Sequence, residues 1–375
     1  MSGRRVLLLA GEPSGDLYGG ALAAELDRRL PGVRILGTGG ARMRAAGVEL
    51  LAELDEMAVM GFAELLPRLR FFRRLEQRLR ALLDEMPIDL VVPIDYPGLN
   101  LRVAREAKLR RVPVLYYVAP KVWAWRPRRA RSLAERADRV ASILPFEPAF
   151  LEKFGVRVTY VGHPLLDRED DVPEQREFRR RWKLPGDRPL LALLPGSRTQ
   201  ELSRHLDVFV AAAELVCAAR PDVVPVVGRA ESLPEAAFAG VPFSTVDDVR
   251  ALLRHAEVAL VKSGTVTLEA ALEGTPSVVA YRTSPATWAL ARRLLRVEHV
   301  ALPNLVLGEL VVPERLQGQA NPEALSAALL PLLEPDGRER RRQVERFGRI
   351  VSALGPSGAT GRVADLALEL LGATS

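Results

Sequence analysis

The chain has 375 residues, 48% hydrophobic and 27% charged, which excludes collagen-like, coiled-coil and wholly disordered classes and makes two domains the first expectation. Lys plus Arg number 53 against 47 Asp plus Glu, giving a net charge of +6 and a pI near 9.7, a balance that favours anionic ligands or surfaces without naming one. Only five of the basic residues are lysine; arginine suits phosphate forks, and a GC-rich genome gives the same bias. A single cysteine, Cys217, excludes an internal disulfide and suits a reducing cytoplasm. No signal peptide is visible, because the apolar run from Val6 to Ala10 is broken at once by Gly11, Glu12 and Pro13. Nor does any uncharged apolar stretch reach the ~18 residues of a membrane span.

In chain order, RRVLLLA reads as a strand, GEPSGDLYGG as a turn and ALAAELDRRL as a helix, and VRILGTGG starts the plan again. Further apolar runs follow at IDLVVPID, VPVLYYVA, RVASILP and VTYVG, separated by basic helical stretches. A charged, proline-bearing stretch over residues 167–188 marks the domain boundary, after which LLALLPGSR, VVPVVG, HAEVALVKSG and PSVVAYR repeat the alternation. The expected class is α/β, with parallel sheets in two doubly wound halves and the ligand in the cleft between them, at the carboxyl ends of the strands. Residues 1–170 form the first domain in this reading, 171–350 the second and 351–375 a terminal helical tail.

The turn after the first strand holds Glu12, Ser14 and Asp16, two acids and a hydroxyl at the ligand-facing end of such a sheet, although Ser14 or Asp16 could equally cap the following helix. Its glycine spacing is not the dinucleotide fingerprint, which disfavours NAD. GTGGARM, residues 37–43, is a second glycine turn, able to let a ligand approach backbone amides. Asp95 follows an apolar strand in VVPIDYPGLN, a place for a general base or for a turn-forming carboxylate. Trp123 and Trp125 interleave with Lys121, Arg126, Arg128, Arg129 and Arg131, read as wall and core rather than as a nucleic-acid surface. In the second half, Gly196, Ser197 and Arg198 enter a helix after LLALLP, and Ser263, Gly264 and Thr265 open another after VALVK, with Thr267 and Glu269 in its first turns. Two such helix starts suit a nucleoside diphosphate, with Glu269 placed to accept from vicinal ribose hydroxyls.

Four scattered histidines (His163, His205, His255, His299) give no zinc spacing, and neither a D-x-D pair nor a Walker A motif is present, so no metal or other cofactor is called. His163, in VGHPLLD, suits the cleft or a hinge. The basic segment from Met57 to Leu83 carries Met57, Met60, Phe62, Leu65, Phe71 and Phe72 beside six arginines, a composition for an anionic headgroup layer or for acyl chains, and equally for a surface helix packing one face on the sheet.

AGEPSGD, GTGGARMRAAG, MGFAELL, PIDYPGLN, YYVAPKVWAW, FEPAFLEKFGVRVTYVGHPLLD, LLPGSRTQEL, KSGTVTLEAALEGTPSVVAYR and LPNLVLGELVVPERLQ, in that order, resemble the lipid A disaccharide synthases, an inverting glycosyltransferase family. The resemblance runs over residues 5 to 330. It implies a GT-B fold of two Rossmann-like domains, the second binding UDP, with the tail helix returning to the first. It implies transfer of 2,3-diacylglucosamine from its UDP derivative to 2,3-diacylglucosamine 1-phosphate, without a metal, on the cytoplasmic face of the inner membrane; an oligomer is compatible with it. Asp95 is then the base, with Glu12, Ser14 and Asp16 on the acceptor side. Arg198, Gly196, Ser197, Ser263, Gly264, Thr265, Thr267 and Glu269 meet UDP, and Asn304 and Gln317 face the nucleotide. The 57–83 segment holds acyl chains and docks on the membrane. Pro13, Leu99, Ala119 and Ser277 depart from the family's usual alanine, phenylalanine, serine and methionine, and Ala119 bears on acceptor detail. A GT-B transferase for another lipid-linked acceptor and a non-catalytic nucleotide-sugar binding module are the competing readings.

Overall fold

A computed structural model describes residues 3–57, 65–125, 127–285, 287–289 and 297–373. Met60, Phe62 and Arg126 lie outside the described residues. Two compact units emerge, one combining Met1–Arg168 with Leu354–Ser375 and the other Glu169–Arg293 with Val297–Ala353.

In the first unit seven strands run parallel: β1 (Arg5–Leu9), β2 (Arg34–Gly39), β3 (Glu49–Glu53), β4 (Leu90–Pro93), β5 (Leu115–Tyr117), β6 (Arg139–Ser142) and β7 (Val158–Tyr160). Their order is β3-β2-β1-β4 and β5-β6-β7, and parallel bridges Val91↔Val114 and Ile94↔Tyr117 join β4 to β5. The central strands are apolar throughout, Leu7, Leu8 and Leu9 of β1 and Leu90, Val91 and Val92 of β4 being fully buried, as expected where helices cover both faces of a sheet. Helices Pro13–Arg29 and Pro97–Leu109 start at proline, whose missing N–H is no loss in a first turn.

The helix Ala359–Leu370 belongs to this unit. Its start is capped by Asp167, whose carboxylate receives the N–H groups of Gly358 (2.6 Å), Ala359 (3.1 Å) and Thr360 (2.7 Å). Arg29 on the first helix reaches Asp365 at 2.5 Å.

The second unit holds β8 (Leu190–Leu194), β9 (Val224–Gly228), β10 (Ser244–Val246), β11 (Val258–Lys262), β12 (Ser277–Tyr281) and β13 (Glu314–Leu316), parallel in the order β10-β9-β8-β11-β12-β13. One face of the sheet, with Leu191, Leu193, Leu260 and Val278, packs on Phe209, Ala213 and Val216 of helix Thr199–Ala219 and on Leu325 and Leu329 of Pro322–Leu329.

Both sheets reverse their winding once, between β1 and β4 and between β8 and β11. The loops at the carboxyl ends of these strand pairs diverge to opposite faces, and such switch points are where open α/β sheets take ligands. Glu12 and Asp95 follow one pair; Gly196–Arg198 and Ser263–Thr265 follow the other.

Candidate active site

Asp95 sits in a turn held under strain. Asp95 and Tyr96 both adopt left-handed backbone, at φ 43° and 45°, a conformation that aspartate takes more readily than most and that a tyrosine rarely takes unless its neighbours impose it. Here the neighbours are Asn100, whose Nδ2 lies 3.0, 3.2 and 2.9 Å from the carbonyls of Leu9, Ile94 and Asp95, and Tyr116, whose hydroxyl donates to the Asp95 carbonyl at 2.7 Å. The Asp95 N–H donates to the Tyr117 carbonyl at 3.0 Å. Ends of β1, β4 and β5 are thereby tied together. Gly11 completes the arrangement, since a Cβ there would stand 2.4 Å from the Tyr96 ring. Asn100 was not singled out from the sequence, although its place in the first turn after PIDYPG is the signal.

Of the three residues expected beside Asp95, Glu12 precedes the Pro13–Arg29 helix and Ser14 lies in its first turn, both half-buried. Asp16 has a different task. It is 5% exposed, and its carboxylate receives the N–H groups of Gly40 (2.6 Å), Arg42 (3.1 Å) and Met43 (3.0 Å). It caps helix Ala41–Ala45, so the Gly40, Arg42 and Met43 amides of the second glycine turn are taken by a side chain of the chain itself.

A buried acid lies close by. Glu147, 1% exposed, accepts from Trp123 Nε1 at 3.1 Å and from Leu144 N–H at 3.2 Å. Burial, with a smaller contribution from the Asp95 charge, pushes its carboxyl up to about 7 against the bonds that favour the anion. Trp123 is 7% exposed and packs edge-on against Phe146 at 4.9 Å. His163 is buried, accepts from Leu165 N–H at 3.2 Å and stacks edge-on to Tyr18; burial pushes it down to about 3, so it is neutral.

In the described part of the 57–83 segment, the arrangement is that of a surface helix packing one face on the sheet. Met57 is 3% exposed and belongs to the core formed by β1, β4 and the two helices Leu65–Glu85 and Pro97–Leu109. Leu75, Leu79 and Leu83 bury one helix face in that core, Phe71 and Phe72 pack partly buried against it, and Arg73, Arg74, Arg78 and Arg80 are exposed. Leu65 begins the helix.

In the second unit the PGSR turn is fixed from behind. Gly196 has φ 134°, and a Cβ on it would lie 2.5 Å from Cβ of Glu201, so glycine is required twice over. Glu201 receives Ser197 N–H at 3.1 Å and Lys262 Nζ at 2.6 Å. Burial alone would raise its carboxyl, but Lys262, the Ser197 N–H and Arg198 bring it below the usual range. His205 joins its Nδ1 to the Glu201 carbonyl at 2.7 Å and receives Arg282 N–H on Nε2 at 2.9 Å, which requires the neutral Nδ1–H tautomer. Sequence reasoning named Arg198 and missed Glu201, three residues on.

At the β11 end, Ser263 donates its hydroxyl to the Val300 carbonyl at 3.0 Å. Thr267, fully buried, donates to the Gly264 carbonyl at 2.8 Å and accepts from Leu302 N–H at 3.3 Å, so its hydroxyl supports the turn. Among the described residues no acceptor takes the N–H groups of Gly264 and Thr265, which open helix Val266–Leu272; Glu269 is half-buried one turn along. Ser197 N–H, by contrast, has its acceptor in Glu201.

The side-chain amides of Asn304 and Gln317, which the resemblance sets facing the nucleotide, are engaged within the chain. Asn304 is 0% exposed; its Oδ1 receives Val311 and Val312 N–H at 2.8 and 2.9 Å, and its Nδ2 donates to the Val312 carbonyl and to Glu314 at 3.0 and 2.8 Å. Glu314 in turn receives the N–H groups of Val300 and Ala301, so the pair braces the loop ahead of helix Leu302–Leu307. Gln317, left-handed at φ 54°, sets its amide against the backbone of Thr283, whose N–H and carbonyl it meets at 3.1 and 3.2 Å when the amide is turned to match donor with acceptor.

Two departures from the resemblance lie in packed places. Leu99 is 1% exposed in the first unit's core, and Ser277 is 1% exposed on β12 with its hydroxyl unpartnered, an environment that fits an apolar side chain such as methionine.

A family model described as Lipid-A-disaccharide synthetase matches residues 6–357. The lipid-A-disaccharide synthase of Syntrophus aciditrophicus is 40% identical over 383 residues, covering 99% of each chain. That of an Anaeromyxobacter strain is 41% identical over 98% of this chain and 97% of its own, and that of Coxiella burnetii 37% over 99% and 100%. In structure the chain is similar to UDP-GlcNAc 2-epimerase from Neisseria meningitidis bound to UDP-GlcNAc (TM-score 0.70, 11% identity, 97% of this chain and 100% of that one) and to the calicheamicin glycosyltransferase CalG4 (TM-score 0.61, 20% identity, all of both chains). These likenesses establish the two-Rossmann fold of the GT-B glycosyltransferases. By the match over nearly its whole length, this chain belongs to the lipid-A-disaccharide synthase family.

Proposed function

We propose that this chain transfers 2,3-diacylglucosamine from UDP-2,3-diacylglucosamine to 2,3-diacylglucosamine 1-phosphate, giving the β-1,6-linked disaccharide 1-phosphate and UDP. The family match over residues 6–357 carries the reading. In one displacement the acceptor 6-hydroxyl oxygen bonds to the donor anomeric carbon, the bond from that carbon to the diphosphate breaks with inversion, and the hydroxyl proton passes to a carboxylate. Asp95, on a turn tied to the ends of β1, β4 and β5, is the proposed base, and the cost of holding the adjoining tyrosine in left-handed backbone is the kind of strain found at reacting centres. Glu12 and Ser14 are proposed to shape the acceptor side, with Asp16 acting through the turn it caps.

The second unit is the proposed UDP side. The amides of Gly264 and Thr265, the helix they start, and Arg198 are proposed to supply positive potential for a leaving diphosphate, and Glu269 to take the ribose. Asn304 and Gln317 are proposed to support this side through the loops they brace. The reaction is expected to proceed without a divalent cation. No described helix is long and apolar enough to cross a membrane. Arg73 and Arg74, exposed on helix Leu65–Glu85, are the proposed contact with an anionic membrane surface, and Phe71 and Phe72 the proposed acyl neighbours.

Mass spectrometry of the products from the two diacylglucosamine substrates, in the presence of EDTA, tests the proposal. The disaccharide 1-phosphate and UDP in equal amounts are expected. Transfer only to a different lipid-linked sugar would favour a GT-B transferase of other acceptor specificity, and tight UDP-sugar binding with no product would favour a binding module.

A further inference from the structure

Three loops, at the carboxyl ends of β8, β11 and β12, meet on one pair of opposite charges. Glu201 holds Ser197 N–H at 3.1 Å and Lys262 Nζ at 2.6 Å, and the two side chains are only 18% and 14% exposed. Lys262 also lies over the Tyr281 ring, 5.8 Å from its centroid, and His205 ties the Glu201 carbonyl to Arg282 N–H.

A carboxylate in this place poses a chemical problem. It fixes the PGSR turn, yet it puts a negative charge against the turn from which Arg198 is expected to meet a diphosphate. Left uncompensated, Glu201 would repel that anion and compete with it for the Arg198 guanidinium; in a half-buried setting such charges are poorly screened. Lys262 removes the problem by neutralising the carboxylate from the side away from Ser197. We infer that Lys262 is a positioning residue for nucleoside diphosphate binding: it acts through Glu201, letting the carboxylate brace the Ser197 turn without opposing the ligand. The inference rests on the reading that UDP binds to this unit.

The test is a double-variant cycle on the full chain, with UDP affinity measured by calorimetry and donor kinetics measured in parallel. Lys262→Met should weaken UDP about 10-fold or more, the loss appearing in donor KM with kcat changed less than about twofold, as expected for coupling within one charged network. Glu201→Gln should weaken it less, and adding Glu201→Gln to Lys262→Met should restore affinity to within about threefold of Glu201→Gln alone. Lys262→Arg, which keeps the charge, should hold affinity within about threefold of wild type and covers the case in which the methionine variant does not fold. A double variant as weak as Lys262→Met would overturn the inference, because it would mean that Lys262 contacts the diphosphate itself. Thermal melts lowered with UDP affinity unchanged would also overturn it, leaving a structural brace. Failure of the wild-type chain to bind UDP would instead overturn the functional reading beneath it.

Discussion

Replacing Asp16 with alanine separates a structural from a chemical role at the first switch point. Its carboxylate receives three backbone N–H groups, from Gly40 and Met43 on one oxygen and from Arg42 on the other, in a site where the side chain is 5% exposed. Alanine leaves those donors without an acceptor, at about 1–3 kcal/mol for the buried Met43 N–H and less for the part-buried Gly40 and Arg42, which water can reach. Because the three share one cap, their costs overlap, and the total is expected at about 2–4 kcal/mol. With each kcal/mol worth roughly 2–4 °C in a unit of this size, scanning calorimetry should find the melting temperature lower by about 10 °C. Asp16→Asn keeps one acceptor oxygen and should lose about half as much. If alanine left melting within about 2 °C of wild type while turnover collapsed, Asp16 would be acting on substrate and the capping argument would fail.

Gly196→Ala forces a Cβ to 2.5 Å from Glu201 on a backbone at φ 134°, so it should detach Ser197 from Glu201 and weaken UDP binding about 10-fold or more; unchanged affinity would show that the turn tolerates the shift. Asp95→Asn should lower kcat by about 10²- to 10⁴-fold with the melting temperature kept within a few degrees, and undiminished turnover would remove Asp95 as the base. Glu147, raised by burial from 4.5 to about 7, keeps in the folded state a proton that the unfolded chain releases, so its contribution is complete below about pH 4.5 and lost as the pH rises to 7. Urea unfolding across that window should show wild type losing about 3 kcal/mol relative to Glu147→Gln, and a gap that stays constant with pH would contradict the assignment.

The strand runs and glycine turns made the sheet class and the switch-point loops legible in the sequence, because apolar periodicity is local. What the sequence hid was which polar groups in those loops are already engaged. Asp16 finds its partners at Gly40, Arg42 and Met43, and Glu201 finds Lys262 sixty-one residues away. No local spacing marks such pairs, so every amide in a glycine turn looked equally open to an anion. Asn304 entered through the family resemblance alone, and no local spacing foretold that Val311, Val312 and Glu314 occupy its amide. Met57 looked amphipathic beside its arginines, but the core beneath helix Leu65–Glu85 takes it in.

The structure of the chain crystallised with UDP and EDTA bears most directly on the account. The diphosphate is expected on the Gly264 and Thr265 N–H groups with Arg198 against it, the Ser197 N–H still held by Glu201, and the ribose hydroxyls on Glu269. A diphosphate bound to the Ser197 amide with Glu201 displaced, or lodged away from the β8 and β11 ends altogether, would contradict it.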